Sequence, residues 1–166
     1  MTCRLLYLVR HAKSDWAFDG LADIDRPLNE RGYRDAPVMA VRIAKLGHEP
    51  ERIISSPAVR ALSTALIFAR QFEHDAAKVV LEPKLYEASP LAFIHVLSGQ
   101  PDDAHKLMVF AHNPTISDVA SDLSGVALSD MPTTGVACVR LEGATWSEAL
   151  HAHGALEFFE YPKKQT

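Results

Sequence analysis

Three short apolar runs in this chain end in side chains able to do chemistry on an anion. Leu5-Leu6-Tyr7-Leu8-Val9 is followed by Arg10-His11, and Arg52-Ile53-Ile54-Ser55 by Ser56-Pro57 with Arg60 one helical turn on; Lys106 to Ala111 is followed by His112-Asn113-Pro114. If these runs are parallel strands of one sheet, their carboxyl ends open into one crevice and the groups meet there. Two imidazoles and two guanidiniums in one pocket repel each other unless an anion lies among them, and the forked donors of arginine match phosphate oxygens. The implied ligand is a phosphoryl group. The helix expected to start near Pro114 adds unpaired N–H groups at its positive end, with the amide of Asn113 as the candidate donor. A neutral imidazole beside a phosphate held this way can attack phosphorus while the cations stabilise the transferring oxygens. That is covalent catalysis with no cofactor and no metal.

The elements that must position these groups follow from the apolar pattern. The run Leu5 to Val9 reads as a central strand buried on both faces. From Asn29 to Leu46 the apolar positions Tyr33, Ala36, Val38, Met39, Ile43 and Leu46 recur at helical spacing, and Gly47 follows as a stop. Arg52 to Ser55 is a second strand, Ala58 to Phe72 a helix, Val79 to Leu81 a third strand and Leu91 to Leu97 a helix. Lys106 to Ala111 is a fourth strand, and Pro114 to Leu123 a helix opened by proline. This alternation predicts an α/β three-layer sandwich, a mostly parallel sheet with crossover helices on both faces. The last third breaks the rhythm. Gly135 to Leu141 and Ala155 to Tyr161 look like two strands joined by a turn containing Gly143 and Trp146, which predicts an antiparallel edge.

Composition narrows the function classes. At 166 residues, 48% of them apolar, the chain is expected to form a single domain spanning residues 1–166 around a real core. A net charge of −4 supplies no basic field for nucleic acid, and no apolar run approaches the length of a membrane span. Cys3 and Cys138 lie in apolar strand-like segments and read as reduced core residues, so a cytoplasmic protein is expected. The other histidines, His48, His74, His95, His105, His151 and His153, have no zinc-ligand spacing. Asp19, Asp23, Asp25 and Lys13 read as the solvated face of a loop over the pocket.

Taken in order, the motifs resemble a known family. Leu8-Val9-Arg10-His11-Ala12 is similar to the RHG motif of the histidine phosphatase superfamily, Ser55 to Ala61 with Thr64-Ala65 to its second signature, and His112-Asn113-Pro114 to its third. The stretches Asp25 to Gly32, Leu85 to Ser89 and Pro132 to Gly135 resemble the SixA-like phosphohistidine phosphatases in particular. The resemblance covers nearly the whole chain and implies a phosphoglycerate mutase-like fold. It implies His11 as the nucleophile, with Arg10, Arg60 and His112 holding the phosphate, Ser14 near it, and Glu87 in the pocket as the candidate general acid. Two positions depart from the pattern: Ala12 replaces the motif glycine, which is tolerable if φ there stays negative, and Ala17 stands where many relatives carry a phosphate-contacting Asn.

Three readings of function follow. The first is a metal-independent phosphatase that removes phosphate from phosphohistidine on a phosphotransfer or signalling protein. The chain has little spare length for a lid, which suits a pocket open to a protein side chain. The second is a phosphatase for small phosphorylated metabolites with Glu87 as the acid, and the third a phosphate-binding module without turnover. Relative rates on phosphohistidine and on phosphate esters separate them.

Overall fold

The computed structural model describes residues 2–164. Its strands are β1 (Cys3–Arg10), β2 (Arg52–Ser55), β3 (Val80–Leu81), β4 (Lys106–Ala111), β5 (Val136–Glu142) and β6 (Ala155–Glu160). They form one six-stranded sheet in the order β3-β2-β4-β1-β5-β6. The pairs β1–β4, β2–β4 and β2–β3 are parallel, while β5 runs antiparallel to both β1 and β6. This is the expected sandwich with its antiparallel side.

Alternation along the inner strands accounts for their continuous apolar runs. Leu6 and Leu8 of β1, with Leu107 and Val109 of β4, face α3 (Pro90–Ser98), α4 (Thr115–Ser124) and α5 (Trp146–His151). Tyr7, Val9, Met108 and Phe110 face the other way, onto α1 (Glu30–Lys45) and α2 (Val59–Gln71). Helices on both faces leave the middle of these strands without a wet side, so Leu5–Val9 of β1 and Leu107–Ala111 of β4 are apolar throughout. Each fully buried Leu, Ile or Phe contributes about 1.5–3 kcal/mol relative to exposure.

Local signals set the helix limits. Asn29 caps α1, its side chain accepting from the Gly32 N–H, and Ser89 caps α3 ahead of Pro90. At Gly32 a Cβ would lie 2.3 Å from the Lys13 carbonyl oxygen, so α1 packs directly on the loop that follows His11.

Two expectations need correction. The connection from β5 to β6 is the helix α5, not a turn. Its Thr145 side chain accepts from the Glu148 N–H while Glu148 accepts from the Ala144 N–H, a capping arrangement legible in Thr145-x-x-Glu148. Trp146 is fully buried under it. Cys138 lies in the core, but Cys3, at the start of β1, is exposed with its Sγ 3.0 Å from Arg140 Nη1. Both thiols are free. Among the described residues no helix is long and apolar enough to cross a membrane.

Candidate active site

The register brings the strand ends level. Arg10 pairs with Ala111 across β1–β4, and Ser55 pairs with Phe110 across β2–β4. The backbone continues this pairing one residue past the sheet: the His11 N–H donates to the Ala111 carbonyl at 3.1 Å and the Ser56 N–H to that of Phe110 at 3.0 Å. His11, Ser56 and His112 therefore leave the sheet side by side, and the His11 and His112 rings lie 5.2 Å apart.

His11 Nδ1 is 2.7 Å from the carbonyl oxygen of Ala12. A carbonyl only accepts, so Nδ1 carries the proton and Nε2 keeps its lone pair. Ala12 is held by its N–H to Thr64 Oγ1 of α2 at 2.9 Å, and its φ lies outside the left-handed region, so alanine in place of glycine costs nothing here. His112 Nε2 is 2.8 Å from Ser56 Oγ, which already accepts from the Ala58 N–H. His112 Nδ1 is buried with no partner among the described residues, and in the tautomer in which the Ser56 hydroxyl donates to Nε2 it carries a free N–H.

Burial pushes His11 down to about 3 and His112 to about 4; the nearby guanidiniums push the same way, and the bond to Ala12 opposes only at His11. Both imidazoles are neutral in the free protein at neutral pH. The ordinary histidine value is about 6.5, so as pH falls from there toward 3 the unfolded chain takes up protons that the folded one refuses. Stability is expected to fall with pH across that window, measured by urea unfolding at a series of pH values, and less steeply in His11→Gln. For the same reason kcat/KM is expected to show no His11 limb near pH 6.5.

The two guanidiniums complete the pocket. Arg10 donates through Nη1 to the Met131 carbonyl at 2.7 Å, and its Nε is buried and unpartnered. Arg60 donates through Nη1 to the Asp23 carbonyl at 2.7 Å and through Nη2 to Asp23 Oδ2 at 2.9 Å, and its Nε too is buried and unpartnered. Unsatisfied buried donors are costly, and three of them around one imidazole fit a ligand with several acceptor oxygens.

Residues 6–92 match the model of the histidine phosphatase superfamily, branch 1. The chain belongs to the histidine phosphatase superfamily. It is 31% identical over 159 residues to an uncharacterised chloroplastic protein of Arabidopsis thaliana, covering 91% of this chain and 72% of that one. A provisionally named phosphohistidine phosphatase SixA from Agrobacterium tumefaciens superimposes with a TM-score of 0.82 at 29% identity, covering 96% of this chain and 98% of that one. A structure of the protein histidine phosphatase SixA complexed with tungstate shares the fold, with a TM-score of 0.77 at 20% identity over 95% and 97% of the two chains. The fold is thus phosphoglycerate mutase-like and SixA-like, and superfamily and neighbours together support a phosphatase.

In this histidine phosphatase the other predicted site residues are placed less centrally. Ser14 is buried, but its Oγ accepts from Arg26 Nη1 at 3.2 Å and no hydrogen bond joins it to Arg10, His11, Arg60 or His112. The side chain of Asn113 is committed elsewhere. Its Nδ2 donates to the Met131 carbonyl at 3.1 Å and its Oδ1 accepts from Ser117 Oγ at 2.5 Å, which leaves only the main-chain N–H as the candidate phosphate donor. Glu87 shares a cleft with His112, Asn113 and Thr115; it is exposed, carries a left-handed backbone (φ 54°) and has no hydrogen bond or ion pair among the described residues.

Other residues beside the pocket carry contacts that the sequence does not reveal. Asp23 is exposed, as expected of a loop face over the pocket, yet its carboxylate is engaged: it accepts from Arg60, from Tyr86 Oη at 2.6 Å and from Arg26 Nε at 3.1 Å. Arg26 is itself buried, with its guanidinium 3.3 Å from the centre of the Trp16 ring. Thr134 donates its backbone N–H to the Arg10 and His11 carbonyls and has a buried, unpartnered Oγ1. Its position in the Pro132 to Gly135 stretch was a usable signal.

Proposed function

We propose that this chain is a metal-independent phosphatase that takes a phosphoryl group onto His11 Nε2, with phosphohistidine on a phosphotransfer or signalling protein of the cytoplasm as its preferred substrate. The observation that carries the reading is the pairing of a nucleophile with its cradle. His11 has Nδ1 tied to Ala12 and Nε2 left for attack, among the unpartnered donors Arg10 Nε, Arg60 Nε and His112 Nδ1. In the first step the bond from phosphorus to the leaving group breaks as the Nε2–P bond forms. In the second, water attacks phosphorus, the N–P bond breaks, and phosphate and the free imidazole result. Arg10, Arg60, His112 and the Asn113 main-chain N–H hold the equatorial oxygens through both steps, with Ser14 at the margin.

The carboxylates near the pocket support this substrate class. An ester leaves as an alkoxide and needs a proton from a carboxyl group of raised pKa. Asp23, the carboxylate nearest Arg60, is held well below the usual carboxylate range, first by the Tyr86 hydroxyl and also by Arg60, and so is charged. Glu87 is exposed and unbonded. Imidazole is a far better leaving group once protonated, and a phosphoramidate substrate makes least demand on a dedicated acid.

One observation favours the second reading, a phosphatase for small phosphorylated metabolites: Glu87 lies in the same cleft as His112, from which it can serve as the acid. The deciding experiment measures phosphate release from a phosphohistidine-bearing protein and from an aryl phosphate, with chelator present. Preference for phosphohistidine, retained in Glu87→Gln, supports the proposal. Turnover of esters alone, lost in Glu87→Gln, replaces it with the metabolite reading. Phosphate binding without release from either substrate leaves a binding module.

A further inference from the structure

We propose that Asp23 is a positioning residue of the phosphate site, holding Arg60 by one edge of its guanidinium so that the other edge faces the anion. A guanidinium offers five N–H groups in a fixed plane. Asp23 takes the end-on pair: its carbonyl oxygen accepts from Nη1 at 2.7 Å and its Oδ2 from Nη2 at 2.9 Å. What remains on the neighbouring edge is Nε–H and the second hydrogen of Nη2, the parallel pair that fits two oxygens of one phosphoryl group. Nε is buried and unpartnered, and the Arg60 side chain is only 8% exposed, so it has little freedom to turn.

The same carboxylate also holds a residue packed on His112. Tyr86 donates its hydroxyl to Asp23 Oδ2 at 2.6 Å, and the Tyr86 ring stands edge-on to His112 with centroids 5.6 Å apart and planes at 85°. Arg26, stacked on Trp16, donates Nε to Asp23 Oδ1 at 3.1 Å. A side chain 48% exposed, from the loop between β1 and α1, thus sets the direction of Arg60 on α2 and braces the segment that packs on His112. Position fixed in advance is what an anion site needs, because a misplacement of about 1 Å can cost about 100-fold in rate.

This inference rests on the reading of the pocket as a phosphate site, and tungstate binding tests it apart from turnover. Calorimetry with tungstate and steady-state kinetics are run on the native chain, Asp23→Ala, Asp23→Asn, Arg60→Ala and the Asp23→Ala/Arg60→Ala double variant. Asp19→Asn, an exposed position on the same loop, is the control expected to change nothing. Asp23→Ala is expected to weaken tungstate about tenfold and lower kcat/KM by about 10–100-fold, with partial recovery in Asp23→Asn, whose amide oxygen still accepts from Nη2. The diagnostic result is non-additivity: once Arg60 is alanine, Asp23→Ala should add little. An undiminished Asp23 effect in the Arg60→Ala background, or tungstate affinity within twofold of native in Asp23→Ala, overturns the proposal. A native chain that binds tungstate and shows the coupling but releases no phosphate overturns the phosphatase reading and leaves the role of Asp23 standing.

Discussion

Replacing His11 by alanine is expected to lower phosphate release by at least about 10⁴-fold, equivalent to about 5.5 kcal/mol of barrier. The whole route proposed here passes through Nε2 of this one ring. The neighbouring His112 cannot substitute, because its Nε2 is engaged by Ser56 Oγ at 2.8 Å. The variant should still fold. His11 is a buried imidazole that repels protons in a field of two guanidiniums, so its loss removes an unfavourable environment along with some packing. Rapid quenching of the native chain with labelled substrate should trap a phosphoenzyme that is labile in acid and stable in base, absent from His11→Ala. A variant that keeps a tenth of native activity would place the nucleophile elsewhere.

Arg60→Ala has the second largest expected effect, a loss of about 10²–10³-fold in kcat/KM, the range seen when one preorganised donor to a developing charge is removed. Arg60→Lys should recover little of it. A lysine ammonium restores the charge but not the parallel pair of N–H groups, and it reaches Asp23 from a different direction. Steady-state kinetics on the two variants, with tungstate inhibition to report anion binding, distinguish a fork from a point charge: equal activity of Lys and Arg would show that only charge matters.

The sheet was legible because its central strands obey a simple rule. Strands covered on both faces are apolar along their inner stretch, so Leu5 to Val9 lies within β1 (Cys3–Arg10) and the expected strand Lys106 to Ala111 coincides with β4. The motif residues were legible because they directly follow such runs, and the register carries His11, Ser56 and His112 to one level. The short helix before β6 was missed since glycine and tryptophan suggested a turn, although Thr145 and Glu148 held the capping signal. Cys3 was misplaced because an apolar-looking position at the first residue of a strand need not be covered.

What the sequence by itself determined was the layer architecture, the order of strands and helices along the chain, and which side chains follow the strand ends. All of these follow from local spacing and residue type. What only the tertiary structure decided was which polar groups are already spent. Arg60, Asp23 and Tyr86 lie 37 and 63 residues apart in pairs, and their hydrogen bonds depend on how the loop before α1 folds back over α2. Asn113 and Ser14 are both expected near the phosphate, yet the first has its side chain tied to Met131 and Ser117 and the second is bound to Arg26. Arg4, in β1, is buried and donates to the carbonyls of Asp102, Ala104, Gly143 and Ala144, partners far away in the chain. A pattern reports whether a side chain prefers water or the core. Which partner satisfies a buried polar atom depends on long-range geometry, and in this chain that geometry leaves Arg10 Nε, Arg60 Nε and His112 Nδ1 unsatisfied around His11.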